Sequence, residues 1–207
     1  MAESKVGRRN FTLGAGAVAA GLAFARGAAR AAAVTPKVLI KTNHGDILVE
    51  IELQRAPITS ANFLHYVDVK AYDDGVFYRA ARDGDNPKHG DIVGRPNLKI
   101  HPFPPIDHEP TTKTGLRHIR GTLSLGRFEP GTATDNFFIC ASTETFLDAH
   151  PGQKGDNLGY AAFGQVLQGL PVVDKILSLP TNGATKFAEQ RGQWLKPTVP
   201  IFSMRRV

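Results

Sequence analysis

The sequence predicts a mainly β fold, a closed antiparallel barrel whose ends are covered by two α-helices. Short segments rich in apolar residues recur from residue 37 to residue 205 and are typical of strands, and residues 47–53 show the period of two that is expected of a strand that buries one face. Only two segments have a helical period, and no internal repeat or interdomain linker interrupts the pattern. One β-sheet closed on itself, with the two helices at its ends, is the arrangement that buries all these faces.

The first element is a β-hairpin. Strands are expected over residues 37–41 and 47–53, joined by a turn that contains Gly45. The second strand alternates strictly and places four apolar residues on one face, Ile47, Val49, Ile51 and Leu53.

A helix follows over residues 57–67, since Pro57 suits a first helical turn. Residues 76–79 form a short strand, and residues 83–110 are expected to be mostly loop because they are rich in Gly, Pro, Asp and His. The helix has an approximate apolar stripe made of Ile58, Ala61, Phe63, Leu64 and Val67.

The C-terminal half continues the alternation of strands and turns. Residues 121–127 and 136–142 are expected to pair around a Pro-Gly turn, and residues 160–167 form a further strand. A second helix is predicted over residues 171–179, where the apolar residues again follow a helical period, and a last strand over residues 198–205.

Charge and cysteine content exclude several classes of function. The 207 residues have a formal net charge of +6, but residues 1–33 hold five of the basic residues and one acidic residue, leaving 20 basic and 18 acidic residues beyond. This nearly neutral body has no clustered basic face for nucleic acid. One cysteine, Cys140, excludes an intramolecular disulfide and a thiolate metal cluster, and we expect it to be buried and inert.

The N-terminus has the three parts of an export signal. Arg8 and Arg9 belong to a charged region, an Ala/Gly-rich stretch continues to about Ala25, and residues 31–33 are three alanines, as at a processing site. The apolar stretch is too short and too weakly hydrophobic for a membrane span, which needs about 20 apolar residues.

This pattern resembles a twin-arginine signal, a route that exports folded proteins. We therefore predict a signal peptide over residues 1–33, with cleavage after Ala33 or alternatively after Ala25, and a mature domain over residues 34–207. The mature protein is expected in the periplasm or outside the cell, without a stable membrane span. An amphipathic N-terminal helix or a retained anchor is the alternative.

Four stretches of the mature chain also have the residues, order and spacing of a known family. They are residues 56–67, 72–79, 121–140 and 163–176, and together they make the match specific although each alone is weak. From Val38 to about Arg205 the chain resembles the cyclophilins. The resemblance implies a closed eight-stranded barrel with two capping helices and a monomeric peptidyl-prolyl cis-trans isomerase. It also implies that the partners are proline-containing peptides and folding protein clients.

The resemblance assigns a role to individual residues. Arg79 stands where the family has its catalytic arginine, Phe138 where a phenylalanine floors the proline pocket, and Leu147 where a residue lines it. Tyr160 replaces the more common histidine, as in some bacterial members, and Phe146 replaces a tryptophan.

Three further residues are implied to hold the substrate in an extended shape. Asn136 stands where the family usually has glutamine, and backbone groups near Gly126 and Arg127 are placed to bind the peptide chain. Isomerisation needs no nucleophile, metal or general base, because the barrier lies in amide resonance, so no cofactor is expected.

One segment departs from the family pattern. Val93 takes the place of a glutamine, Arg95 that of a glycine, and Gly90 and Asp91 that of an apolar pair. One wall of the proline pocket is thereby reduced, unless the loop realigns and brings Asn86 or His89 into the site.

Two alternatives follow from these features. The altered segment favours a prolyl-peptide-binding or chaperone module with weak or no catalysis on the same barrel, since a fold does not determine a function. A metalloenzyme is suggested by four histidines, but none has a second ligand at a known metal spacing, so no metal site is predicted. These histidines are His101, His108, His118 and His150.

Overall fold

The protein forms a closed eight-stranded antiparallel β-barrel, seen in a computed structural model that describes residues 35–84 and 86–207. Around the barrel the strands follow the order β1-β2-β7-β5-β6-β4-β3-β8. The predicted signal peptide lies outside the described residues. The strands are β1 (Lys37–Thr42), β2 (Gly45–Ile51), β3 (Gly75–Arg82), β4 (Gly90–Arg95), β5 (Thr122–Leu125), β6 (Phe137–Cys140), β7 (Ala161–Gln168) and β8 (Trp194–Arg206).

Among the described residues, three α-helices accompany the barrel, one more than the sequence pattern predicts. They are α1 (Pro57–Asp68), α2 (Thr111–Thr114) and α3 (Leu170–Leu177), and single turns of 3-10 helix occur at Thr145–Leu147 and Ala188–Gln190. The extra helix α2 has four residues, too few to have a readable apolar period. Within the described part of the chain, no helix is long and apolar enough to cross a membrane.

The core fills the inside of the barrel with alternate residues of its strands. Phe77, Phe137 and Phe163 are fully buried there, and Phe63 of α1 packs its ring 5.6 Å from that of Phe137 and 5.0 Å from that of Phe163. Helix α1 thus contributes directly to the barrel core. The first hairpin agrees with its predicted alternation, except that Leu53 lies beyond the end of β2 and is exposed.

The buried face of α1 differs from the predicted stripe. Ala61 is exposed and Ile58 only half-buried, whereas Thr59 and Ser60 are buried. The reason is the fully buried Glu109, whose Oε2 accepts hydrogen bonds from the backbone N–H and from the hydroxyl of Thr59, both at 2.8 Å. A carboxylate at a helix N-terminus satisfies a free backbone donor and complements the helix dipole. This polar contact turns the first turn of α1 inward.

The prediction that residues 83–110 are mostly loop is wrong for residues 90–95. These form β4, which lies between β3 and β6. Its glycines have packing roles: a Cβ on Gly94 would come within 2.6 Å of the Phe137 ring. Gly90 has a φ of +132°, which favours glycine, and a Cβ there would overlap the carbonyl oxygen of Ala81. Glycines that resemble loop residues are thus required for close strand contact.

The last strand also begins earlier than the predicted residues 198–205. β8 starts at Trp194, which pairs with Arg79 of β3. The prolines Pro197 and Pro200 within it are unfavourable in strand interiors, which is why the sequence pattern indicates only the C-terminal part.

Candidate active site

The candidate site lies on the outer face of the barrel, across β3, β4 and β6. The strand register places Arg79 beside Val93 and Val93 beside Phe138. One row further along, Asp91 lies beside Cys140. Because residues two apart in a strand share a face, Val93 and Asp91 both point to this outer side. The register therefore brings the predicted arginine and the predicted pocket floor together.

A β-bulge sets the direction of Arg79. The register of β3 shifts between Phe77 and Arg79 against both neighbouring strands, which leaves Tyr78 as the extra residue. Phe77 and Ala80 remain fully buried in the core, while Tyr78 and Arg79 are half-buried on the outer face. A bulge commonly re-aims a side chain next to a functional site. Here it places two consecutive polar side chains on the same face.

The Arg79 guanidinium is held at one nitrogen. Its Nε donates a hydrogen bond of 2.7 Å to Oε1 of Gln193, in the loop before β8. Among the described residues, neither terminal nitrogen of Arg79 has a hydrogen-bond partner and no carboxylate pairs with it. The side chain is thus restrained at Nε, while its two NH₂ groups remain available to a ligand.

An apolar floor lies next to Arg79. Val93, Phe138 and Cys140 form a buried cluster separate from the barrel core, with Leu147 and Tyr160 packed against it. The Tyr160 ring meets that of Phe138 edge-on at 5.4 Å. Burial raises the pKa of the Cys140 thiol well above its usual value, so this cysteine is a neutral, apolar part of the floor, in agreement with the sequence expectation.

A buried hydrogen-bond network supports the floor from behind. The His118 ring lies nearly parallel to that of Phe138, with centroids 6.0 Å apart. Its Nδ1 is 2.8 Å from Oδ1 of Asp148, and its Nε2 is 2.9 Å from Oγ of Ser124. Since a carboxylate only accepts hydrogen bonds, Nδ1 donates to Asp148, and the neutral ring accepts the Ser124 hydroxyl at Nε2. Ser124 is fully buried and therefore inaccessible as a nucleophile.

The protonation of this network follows from its surroundings. Burial lowers the pKa of His118, although the hydrogen bond that its ring donates to Asp148 opposes the change, so the ring is neutral near pH 7. Desolvation alone would raise the pKa of Asp148, but hydrogen bonds from the backbone and ring of His118 and from Arg117 lower it. The pair is an ionised carboxylate that orients a neutral imidazole.

A polar wall borders the other side of the floor. The Tyr78 hydroxyl donates to Oδ1 of Asn136 at 3.1 Å, and the Arg95 guanidinium lies 5.0 Å above the Tyr78 ring. The Gly126 backbone N–H donates to the Asn136 carbonyl at 2.7 Å. Asn136 and Gly126 thus lie at the β5–β6 turn beside the site, joined to it through Tyr78.

Arg127 closes the same end of the site. Its guanidinium pairs with Asp156 at 2.6 Å and lies 5.2 Å from the centre of the Tyr160 ring, and it also donates to the carbonyl of Gly159. These contacts fix the segment around Tyr160 against the end of β5.

Asp91 introduces a carboxyl group beside this floor. Loss of solvation raises its pKa to about 6, Arg79 opposes the rise, and the Glu144 carboxylate adds to it. Glu144 is itself buried and accepts a hydrogen bond from the Ser142 hydroxyl. A titratable group thus stands close to Arg79, where an apolar residue is expected from the resemblance.

The loop that precedes β4 does not realign into the site. Asn86 and His89 lie in the turn of the β3–β4 hairpin, where the His89 backbone N–H donates to the Asn86 carbonyl at 2.8 Å and the Asp83 N–H to the His89 carbonyl at 3.1 Å. The register that puts Val93 beside Arg79 leaves no glutamine at that strand position.

The structure gathers most of the predicted site residues but not all of them. Phe138 is part of the floor, Arg79, Leu147 and Tyr160 lie around it, and Asn136 and Gly126 border it. Phe146 is 71% exposed and lies outside the cluster.

Four neighbouring residues were missed by the sequence interpretation: Tyr78, Gln193, Asp148 as a support, and His118 as part of the site. The Tyr78-Arg79 pair gives a weak signal, since two consecutive polar residues interrupt the alternation expected of a strand that buries one face. Gln193 gives none, because it is distant in sequence and lies in a loop.

The histidines do not form a metal site. Within residues 35–84 and 86–207, no three His, Cys, Asp or Glu side chains are grouped as metal ligands. His118 is occupied by Asp148 and Ser124, while Nε2 of His108 lies 3.2 Å from the Leu158 carbonyl and Nε2 of His150 2.9 Å from that of Thr145.

Comparison with known proteins agrees with this geometry. A family model described as cyclophilin type peptidyl-prolyl cis-trans isomerase/CLD matches residues 37–205. Peptidyl-prolyl cis-trans isomerase A of Dickeya dadantii (strain 3937) is 36% identical over 153 residues, which are 73% of this chain and 76% of that protein. Peptidyl-prolyl cis-trans isomerase B of Escherichia coli K12 is 35% identical over 147 residues, 70% of this chain and 86% of that protein.

Solved structures agree on the fold. A cyclophilin-type isomerase of Cryptosporidium parvum, solved in the presence of the dipeptide Ala-Pro, superimposes with a TM-score of 0.62 and 20% sequence identity, covering 82% of this chain and 97% of the other. The family match covers most of the chain, and the sequence relatives exceed 30% identity. The chain therefore belongs to the cyclophilin-type peptidyl-prolyl cis-trans isomerases.

Proposed function

We propose that Arg79 is the catalytic residue of this isomerase and that the substrate proline is bound on the floor formed by Val93, Phe138 and Cys140. One observation carries the proposal. Arg79 is restrained at Nε by Gln193, has unpaired terminal NH₂ groups among the described residues, and lies in register with the apolar floor. A fixed donor beside an apolar surface is what the reaction needs.

The physical requirement comes from the amide bond. Rotation about an X-Pro bond breaks amide resonance, with a barrier of about 18 to 20 kcal/mol. In the twisted amide the prolyl nitrogen regains a lone pair. An N–H of Arg79 that donates to this nitrogen stabilises the twisted state more than either planar state, and only such a difference accelerates the reaction.

The floor contributes by excluding water. Leu147 and Tyr160 flank Phe138, and a proline ring lying between them removes solvent from the donor. In such an environment the interaction between a guanidinium and a partial negative charge is stronger than in water. The floor thus binds the ring and reinforces Arg79.

The remaining predicted residues are proposed to bind the peptide on either side of proline. Asn136 and the backbone at Gly126 border the floor, where they can hold an extended chain. Phe146 is exposed and is proposed to contact only longer substrates. The Ala-Pro dipeptide present with the Cryptosporidium relative supports a short proline-containing ligand as the minimal probe.

The experiment that tests the site compares Arg79→Ala and Arg79→Lys with the unmodified protein on a short Ala-Pro test peptide. Losing one preorganised donor costs about 3 to 4 kcal/mol of transition-state stabilisation, so kcat/KM of Arg79→Ala should fall by about two orders of magnitude or more. Peptide affinity should change much less. Arg79→Lys should also be impaired, because an ammonium cannot reproduce the planar fork held at Nε.

Two outcomes would contradict the assignment. Full activity of Arg79→Ala would remove Arg79 from the mechanism. Peptide binding without any acceleration by the unmodified protein would favour the binding or chaperone module, whose support is the altered β4 segment with Asp91 in place of an apolar residue.

We also propose that the protein is exported by the twin-arginine route and acts as a monomer on folding clients outside the cytoplasm. The support is the arginine pair Arg8-Arg9, followed by a weakly apolar stretch and three alanines at residues 31–33. Replacing both arginines by lysine in the full chain should leave the protein unprocessed in the cytoplasmic fraction. Continued export of that variant would contradict this route, and size-exclusion chromatography of the exported form tests the monomer.

A further inference from the structure

We infer that Gln193 is a positioning residue for Arg79, whose side-chain amide holds the guanidinium in its working orientation. The contact is the 2.7 Å hydrogen bond from Nε of Arg79 to Oε1 of Gln193. The inference rests on the proposed catalytic role of Arg79 and goes beyond it by naming the group that aims this residue.

No other described side chain holds Arg79. Its register partner on β4 is Val93, which has no polar atom, and its partner on β8 is Trp194, whose indole N–H donates to Gln190. A long, half-exposed arginine loses considerable rotamer freedom when it is fixed. The hydrogen bond to the amide of Gln193 orders the side chain before the substrate binds, so this entropy is not lost during the reaction.

Gln193 is itself fixed at three points. Its carbonyl accepts the N–H of Ala80 at 2.8 Å, directly after Arg79 in the chain, and its own N–H donates to the Gln190 carbonyl at 3.1 Å. Its side-chain Nε2 donates to the Glu189 carbonyl at 3.3 Å. Because Nε–H of arginine only donates, the amide must present its oxygen to Arg79, and the bond from Nε2 to Glu189 agrees with that orientation.

The residue after Gln193 stiffens the same segment. Trp194 packs its ring 4.9 Å from that of Tyr78, and its Nε1 donates to Oε1 of Gln190 at 3.0 Å. Tyr78 is the extra residue of the bulge that turns Arg79 outward. The bulge on β3 and the loop before β8 therefore support each other, and both act on Arg79.

The test compares Gln193→Leu with Gln193→Glu, two side chains of similar size of which only glutamate keeps an acceptor for Nε. A lost hydrogen bond to a charged group corresponds to a fall of roughly tenfold or more in rate. We therefore expect kcat/KM of Gln193→Leu to fall by about tenfold, with the peptide Kd nearly unchanged. Gln193→Glu should keep most of the activity of the unmodified protein. Gln168→Leu on the exposed end of β7 is the matched control and should retain full activity.

A second measurement reads the contact directly. The Nε–H resonance of Arg79, assigned by its disappearance in Arg79→Lys, should exchange faster with solvent in Gln193→Leu than in the unmodified protein. A purely structural role of Gln193 would lower thermal stability without this change.

The outcomes separate the two proposals. If Arg79→Ala loses activity but Gln193→Leu does not, or if Gln193→Leu and Gln193→Glu lose it equally, the positioning role is wrong while the role of Arg79 stands. If Arg79→Ala keeps full activity, the role of Arg79 fails, and the positioning role for catalysis fails with it. If both hold, adding Gln193→Leu to Arg79→Ala should cause no further loss.

Discussion

The two faces of β6 follow different rules. Phe137 points into the barrel, where its ring packs against those of Phe63, Tyr72 and Phe77 at 5.4 to 5.7 Å. Its neighbour Phe138 points outward and belongs to the separate floor cluster, backed by His118. Adjacent residues of one type thus have different roles because a strand alternates its side chains.

β4 shows the same difference between faces more strongly. On the inner face, Gly94 has room for no side chain, since a Cβ would come within 2.6 Å of the Phe137 ring. On the outer face, Asp91 and Val93 have no such constraint from the core and depart from the family resemblance. Volume determines the residues of the inner face, whereas the outer face holds the proposed peptide site.

The largest expected effect comes from breaking the inner face. Phe137→Ala removes a fully buried ring from the barrel and should lower the free energy of unfolding by about 3 to 5 kcal/mol. Urea unfolding at pH 7 measures it. Phe202→Ala on β8, where the ring is 55% exposed, is the control. Equal losses in the two variants would mean that the inner face is not the stabilising one.

The next effect concerns the support behind the floor. His118→Leu leaves Asp148 and Ser124 without their shared partner and should lower the free energy of unfolding by about 2 to 3 kcal/mol at pH 8. Because burial lowers the pKa of His118, the unmodified protein loses stability as the pH falls below the pKa of a free histidine. The variant lacks this loss, so the difference in the free energy of unfolding between the two proteins should be smaller at pH 5 than at pH 8.

The same pair of urea titrations, repeated on the exposed His101→Leu, supplies the control. If the difference in the free energy of unfolding between the unmodified protein and His118→Leu is the same at pH 8 and pH 5, His118 is not a buried neutral ring.

The smallest effect concerns Asp91 on the outer face. Its pKa is raised to about 6, so the folded protein binds this proton more tightly than the unfolded chain, and stability falls as the pH rises from about 4 through 6. Asp91→Asn should therefore be more stable than the unmodified protein at pH 8, by about 1 kcal/mol after solvent screening, and equal to it at pH 4.

Thermal unfolding at the two pH values checks this, with Asp107→Asn at an exposed position as the matched control. A stabilisation that is the same at pH 4 and pH 8 would mean that Asp91 acts through packing instead of through its charge.

The inner face was largely predictable from the sequence. The alternation of Ile47, Val49 and Ile51 and the apolar run at β6 give the strands and their buried sides, since burial in a barrel imposes a period of two. β4 was missed because its glycines, which the core requires for close contact, have the same composition as a loop.

The outer face was predictable only through the family resemblance. Arg79 and Phe138 have no local signal that separates them from a surface arginine and a core phenylalanine. Gln193 lies 114 positions after Arg79 in the chain, and His118 lies on a loop before β5. The contacts of both residues with the site arise only when the barrel closes. Long-range polar contacts of this kind leave no periodic pattern.

The most direct test of the account is exchange spectroscopy of an Ala-Pro test peptide at equilibrium, with the unmodified full chain and with Arg79→Ala. One spectrum reports both binding, through shifts of the peptide resonances, and the rate of cis-trans exchange. A catalytic role of Arg79 predicts rapid exchange with the unmodified protein, and retained binding with exchange near the uncatalysed rate for Arg79→Ala. Equal exchange rates for the two proteins would contradict it.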